Sequence, residues 1–229
     1  MLLLAFETSA KAAGVALFLE GKLLGEAYQN TAATHSQTLM VMARDLLSQC
    51  GYTPQDVRAV AVAEGPGSFT GVRIGVAAAK GFAWGGELPC YGVSTLEAMA
   101  RGLGIYDGTV CAVMDARRNQ VYNALFRVEK GILRRLTEDR AIALADLNEE
   151  LRAVPGPVFL VGDGSELTHR HIPDTVLPPE HRMHQRAVGV GLCALEKIAA
   201  GEAGDGALLV PNYLRLSQAE RERMEKLQK

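Results

Sequence analysis

The sequence predicts an α/β protein of two tandem units facing each other across a cleft, and three observations carry that reading. Two apolar runs, Leu2 to Phe6 and Thr109 to Met114, each end in an acid, Glu7 and Asp115. A run that is apolar at every position is a strand buried on both faces. Each run leads into hairpin-like segments, around Glu20-Gly21 in the first case and Lys130-Gly131 in the second. Between them, from Gly102 to Gly108, the composition turns glycine-rich and the strand pattern restarts. A chain of 229 residues can form one large domain or two small ones. The restart favours two, residues 1–104 and 105–229.

In the first unit, Leu2 to Phe6 is the central strand, closed by Glu7-Thr8-Ser9, and Gly14 to Leu19 and Lys22 to Tyr28 form a hairpin beside it. A helix from about Ser36 to Cys50 stops at Gly51 and Pro54. Its core stripe is Leu39, Ala43, Leu46 and Cys50, which leaves Met40, Val41 and Leu47 as surplus apolar surface. Val57 to Ala63 reads as a buried strand, and Cys90 to Val93 as a short one. Ser94-Thr95-Leu96-Glu97 has capping-box spacing and opens another helix. Three strands with a hairpin, then helix, strand, helix, strand describe a ribonuclease H-like unit. The second unit repeats this opening in outline: strands Gln120 to Val128 and Ile132 to Leu136, then a helix from Leu144 to Leu151. Strand Val158 to Val161 follows and ends in Gly162-Asp163-Gly164; proline-rich loops at Pro173 to Pro179 precede a last helix from about Gln185 to Ala200.

The stretch A-E-G-P-G-S-F-T-G-V-R-I-G-V-A-A-A-K-G-F-A-W, Ala63 to Trp84, is a strand–glycine corner–helix. Ser68 suits the N-cap, and free N–H groups at such a corner make a candidate anion site. It is neither a P-loop nor a dinucleotide fingerprint, because no Gly-Lys-Ser/Thr follows and the glycine spacing is wrong. From Val72 to Gly85 the helix carries only Arg73 and Lys80 as charges. Val72, Val76, Ala79 and Ala83 form one apolar face, while Ile74, Ala78 and Gly81 lie where a surface helix should be polar. Such a helix is covered on both sides, either by its own chain or by a partner.

Composition narrows the classes. A net charge of −2 gives no general attraction to nucleic acid. Arg134-Arg135, Arg140 and the mixed-charge tail from Arg215 offer local basic residues, but the tail reads as a solvated helical end. Cys50, Cys90, Cys111 and Cys193 stand far apart in apolar runs, which indicates buried free thiols and a reducing compartment. The N-terminus lacks a basic n-region and no apolar run reaches membrane-spanning length, so a cytoplasmic location with no membrane association is expected.

Three acid-tipped loops, Glu7-Thr8-Ser9, Asp115-Ala116-Arg117 and Gly162-Asp163-Gly164, would face the cleft at the strand ends where open α/β sheets bind ligands. Each acid can hold a metal–phosphate complex through water, or simply cap its own turn. The glycine-rich hairpins that wrap a triphosphate do not follow Glu7 or Asp115. His35 stands alone, His169-x-His171 and His181-x-x-His184 lie in loop sequence, and Ser68 is in no Gly-x-Ser-x-Gly elbow. The chain reads as an ATP-cleft fold without catalytic fittings, with Glu7, Thr8, Ser9, Asp115, Gly162, Asp163 and Gly164 as a weak nucleotide site and no metal site.

The motifs E-T-S, H-S-Q-T-L, G-P-G-S-F-T-G-V-R-I-G, G-V-S-T-L, M-D-A-R and P-N-Y-L-R together resemble the TsaB family, formerly labelled glycoproteases, over nearly the whole chain. The resemblance implies two ribonuclease H-like domains of the actin-like, sugar-kinase and heat-shock ATPase superfamily. It further implies a bacterial role with TsaD and the ATPase TsaE. That assembly transfers threonylcarbamoyl to the adenosine beside the anticodon of tRNAs reading codons that start with A. TsaD carries a His-x-x-x-His metal pair; here His35 is followed three and four residues later by Thr38 and Leu39. The resemblance therefore implies a non-catalytic scaffold and activator that pairs with TsaD through its two N-domain helices. Carried onto this chain, the pairing residues are Gln37, Met40, Val41, Arg44 and Leu47 on one helix and Phe69, Thr70, Arg73, Ile74, Ala77, Ala78 and Lys80 on the other. It also implies a homodimer when TsaD is absent, tRNA contact only through the complex, and no tightly bound cofactor, with ATP or ADP at the complex interface. The competing class is a stand-alone ATP-dependent phosphotransferase or a peptidase.

Overall fold

The computed structural model describes residues 1–31, 33–103 and 106–215. Its first sheet contains β1 (Leu2–Glu7), β2 (Ala13–Leu19), β3 (Lys22–Gln29), β4 (Ala59–Gly65) and β5 (Cys90–Ser94), in the spatial order β3-β2-β1-β4-β5. β1 runs antiparallel to β2 and parallel to β4, so the apolar run at the N-terminus is the central strand. Its side chains divide by the two-residue period of a strand. Leu2, Leu4 and Phe6 pack under α1 (His35–Gln49) and α2 (Phe69–Gly86). Leu3 and Ala5 pack on the opposite face, against Ala187, Val190 and Ala194 of a late helix, 187–199.

The second sheet holds β6 (Gly108–Asp115), β7 (Gln120–Glu129), β8 (Ile132–Arg135), β9 (Arg140–Ala143) and β10 (Val158–Val161). Its order is β10-β6-β7-β8, with β9 paired to β7. One face is covered by Leu96, Met99, Ala100 and Leu103 of α3 (Thr95–Leu103). The other is covered by Leu144, Leu147 and Leu151 of α4 (Leu144–Arg152). Then come α5 (Ser165–His171), α6 (Glu180–Met183) and the late helix, α7 (Ala187–Ala199). Two α/β sheets with this strand order constitute tandem ribonuclease H-like units, as the alternation of elements predicts.

Helices are exchanged between the sheets. α3, which follows the first sheet in sequence, covers the second; α7, which follows the second, returns to the first. The two cross at close range, and a Cβ added at Gly189 would collide with the Ala98 carbonyl oxygen. An Arg101–Glu196 ion pair spans the same crossing. The boundary expected at 104/105 falls outside the described residues.

Several elements differ from expectation. Strand β9 and helix α5 were not anticipated, and β9 exists because Asn119 O accepts from Leu144 N and draws the start of α4 up to β7. Helix α2 starts at Phe69, as the N-cap expected at Ser68 requires, and the Ser68 side chain accepts from Gly71 N. The four cysteines are free, with only Cys50 half-buried; burial pushes the Cys90 thiol up to about 11 and Cys111 to about 12. Among the described residues, no helix is long and apolar enough to cross a membrane.

The crossing of α3 and α7 gives a paired test. Gly189→Ala should lower stability by about 1–3 kcal/mol through overpacking against backbone. Gly81→Ala, where an added methyl meets nothing, should raise it by roughly 0.5–1 kcal/mol through helix propensity. Urea denaturation of both variants checks the sign of each.

Candidate functional site

The tip of β1 is clamped by the start of α2. Thr8 Oγ1 donates to Gly71 O at 2.8 Å, and Ser68 N donates to Ser9 O at 2.6 Å. Glycine is required at Gly67, Gly71 and Gly75 because a Cβ there would collide with Ser9 O, Thr8 O and Thr8 Oγ1 respectively. The glycine corner therefore serves close packing. The Ser68 and Gly71 N–H groups of that corner are spent within the chain, while Gly67, Ser68 and Phe69 line the cavity beside it.

This packing buries Glu7 completely. Its Oε1 accepts from Ser9 N at 2.6 Å, while Oε2 has no partner. Loss of hydration pushes the carboxyl up to about 7, against the lowering effect of Ser9, and the Asp163 carboxylate adds to the rise. Asp163 is itself raised by burial and accepts from Gln185 Nε2 at 2.8 Å. Asp115 Oδ1 caps its own turn by accepting from Arg117 N at 2.7 Å. That turn holds Arg117, Arg118 and Asn119 with φ of +66°, +57° and +55°, left-handed values that side chains seldom adopt.

Between the β1 tip, the start of α2 and the β6–β7 hairpin lies a cavity of about 430 Å³. Of the predicted nucleotide residues, Ser9, Asp115 and Asp163 line it. Glu7, Thr8, Gly162 and Gly164 lie outside its lining: the first two are buried beneath α2, and the glycines pack on β6, where a Cβ at Gly162 would collide with Val113 O.

The cavity is crossed by a C-terminal strap that sequence reasoning missed. Leu209 enters the core beneath α2, and its carbonyl accepts from Lys80 Nζ at 3.0 Å. Asn212 N donates to Glu64 O at 2.6 Å. Tyr213 stacks on Phe69 at 4.6 Å between ring centroids and accepts from Arg73 Nε at 2.8 Å. Arg215 Nη1 donates to Ala116 O at 2.5 Å on the second sheet. The aromatic and arginine in P-N-Y-L-R were the available signal.

The outer face of α1 and α2 is the second candidate. Gln37, Met40, Val41 and Arg44 are exposed on α1, with Met40 at 41% and Val41 at 44%. On α2, Thr70, Arg73 and Ala77 are exposed, and Ile74 and Ala78 are half-buried. Leu47 does not belong to this face: it is 1% exposed and sits in the core, one turn after Ala43 on the same inward stripe. Cys50, expected in that stripe, is half-buried. Phe69, Arg73 and Lys80 are already engaged by the strap. Trp84, one turn beyond Lys80, is 87% exposed and extends the face; helical spacing could have found it.

Of the cations considered for RNA, Arg135 pairs with Glu97 and Asp139 and Arg140 with Glu150 and Asn123, while Arg134 is exposed. The predicted tail beyond Arg215 lies outside the described residues. His35 Nε2 donates to Ala10 O at 2.8 Å. Among the described residues, no three His, Cys, Asp or Glu side chains converge to hold a metal.

Tandem ribonuclease H-like sheets around a cleft define the fold class of this protein. Component A of the Acidaminococcus fermentans (R)-2-hydroxyglutaryl-CoA dehydratase shares the fold, with a TM-score of 0.51 at 11% identity over 87% of this chain and 99% of that one. A crystal structure from Pseudomonas aeruginosa, described as similar to the peptidase YeaZ, matches with a TM-score of 0.80 at 31% identity, covering 93% of this chain and 99% of that one. The family model described as TsaD, tRNA N6-adenosine threonylcarbamoyltransferase, matches residues 28–222. The tRNA threonylcarbamoyladenosine biosynthesis protein TsaB of Bacillus subtilis is 36% identical over 225 residues, 96% of each chain. That of Escherichia coli is 37% identical over 167 residues, 72% of each. The chain belongs to this TsaD-like family, among its TsaB members.

Glu7 supplies a pH test. Its pKa is raised in the folded state, so the fold binds a proton that the unfolded chain releases, and stability falls as pH rises from about 4.5 through about 7. Glu7→Gln should remove that dependence. Its stabilisation relative to the parent should be small at pH 4 and reach about 3 kcal/mol at pH 8, read from denaturation midpoints at both pH values.

Proposed function

We propose that the chain acts in tRNA threonylcarbamoyladenosine biosynthesis as a non-catalytic scaffold and activator of TsaD, in a complex completed by TsaE. The observation that supports it most is the outer face of α1 and α2, where Met40, Val41, Ala77 and Trp84 stand open to solvent around Ile74 and Ala78. Contiguous apolar surface of this kind marks an interaction site. The small side chains at Ala77, Ala78 and Gly81 let a partner helix approach closely, and the TsaD partner follows from the family. Without TsaD, the same face pairs two copies of the chain.

In this reading the chain holds no cofactor tightly, and ATP or ADP sits at the interface of the complex. The cleft lining mixes Lys11, Arg117 and Arg215 with Asp115 and Asp163, and strap residues Asn212 to Arg215 form part of its wall. Transfer of the threonylcarbamoyl group belongs to TsaD, tRNA is met through the complex, and the assembly works in the cytoplasm.

Ile74→Asp should leave the folded chain intact, since the side chain is half-buried at the surface. It should weaken TsaD binding by roughly 100-fold, because an unpaired charge is desolvated in the interface. Calorimetric titration and a threonylcarbamoyladenosine assay check this; unchanged modification by the variant would refute the scaffold. Trp84 is the single tryptophan, so the chain labelled with 5-fluorotryptophan should show one fluorine resonance that shifts on adding TsaD. A resonance that stays put would place the interface elsewhere.

A further inference from the structure

A second cavity, of about 350 Å³, opens on the side where α3 and α7 cross, away from the cleft and from the outer face of α1 and α2. One wall is apolar, formed by Leu23 of β3, Met99 of α3 and Val188 of α7. The other wall is the run leading into α7, with His181, Arg182, His184 and Arg186. The acid on the lining is Glu26, and it is consumed: Arg186 Nε donates to Glu26 Oε2 at 3.1 Å and Nη2 donates to the same carboxylate. The Arg186 guanidinium also lies 4.8 Å from the Tyr28 ring centroid, which fixes it in place.

Arg182, His181 and His184 remain. Among the described residues none of their side chains makes a hydrogen bond or ion pair, and the first turn of α7 contributes no acid. The cavity therefore offers Arg182, His181 and His184 beside a Glu26 carboxylate already neutralised by Arg186, with a hydrophobic wall opposite. Its size falls within the range of small-molecule sites, about 300–1,000 Å³. An arginine fork suits a phosphate or carboxylate, and the apolar wall suits a body attached to it.

We propose that this cavity binds a small organic anion, a phosphate monoester or carboxylate with an apolar body. The occupant touches both halves of the molecule, because α3 packs on the second sheet and α7 on the first. It seats beside the Gly189–Ala98 crossing and holds the two sheets in one relative orientation. This site is independent of TsaD binding.

Phenyl phosphate titrated into the full chain, followed by methyl NMR of the methionines, tests it. The Met99 methyl should shift saturably while Met40, on the outer face of α1, stays fixed. Inorganic phosphate and benzyl alcohol, each carrying half of the recognised chemistry, should bind at least about tenfold more weakly. Arg182→Glu, an exposed change that leaves the melting temperature in place, should weaken phenyl phosphate by at least about tenfold. No saturable Met99 shift up to about 10 mM, or an affinity indifferent to Arg182→Glu, would overturn the proposal. So would saturation by a short single-stranded RNA with no response to phenyl phosphate.

Discussion

The seat of α2 on the tip of β1 governs much of the molecule. Thr8 meets the helix through its hydroxyl and carbonyl and Ser9 through its carbonyl, and at Gly67, Gly71 and Gly75 there is no room for even one carbon more. Interiors are close-packed and give little, so each glycine sets how deeply the helix sinks. At that depth Val72, Val76, Ala79 and Ala83 reach the sheet. The same depth strips water from Glu7 and leaves one of its oxygens without a partner. One geometric constraint thus explains both a buried acid and a helix whose outward side chains can afford to be small.

The strap converts that local constraint into a connection across the molecule. It is anchored in the first core at Leu209, lies against the start of α2 at Tyr213, and ends on the second sheet at Ala116. Arg73 and Phe69 are shared between the strap and the outer face of α2. A partner that contacts those side chains also contacts the wall of the cleft. Surface and cleft are two sides of one helix turn, and neither can be altered without the other.

Much of this was legible in the sequence, for reasons of period and burial. Unbroken apolar runs, such as Leu2 to Phe6 in β1 and Ala59 to Ala63 in β4, read as buried strands, and a helix with two apolar faces announces a second cover. Leu47 was misplaced because α1 has a wide inward stripe: Leu46 and Leu47 both reach the core, and a narrow stripe drawn through Leu46 pushed its neighbour outside. At the glycine corner, backbone that approaches backbone and backbone that cradles an anion call for the same residue, so the close approach to Ser9 O is visible only in the structure. The strap was illegible because residues 204–215 have no period; their contacts are with segments far away in sequence.

The acids tell the same story at the level of charge. At a strand end a carboxylate can serve a ligand or its own turn, and the geometry of its nearest N–H groups separates the two. Glu7 bonds Ser9 N and Asp115 bonds Arg117 N, each two residues ahead, the reach of a side chain closing its own turn. Asp163 is instead held by Gln185, which comes from the start of the α7 approach and so from the element that returns to the first sheet. Two of the three acids therefore shape loops, and the third ties the second sheet to the segment that leaves it. Burial is the larger cause of the raised Glu7 and Asp163, and a neighbouring carboxylate adds to each.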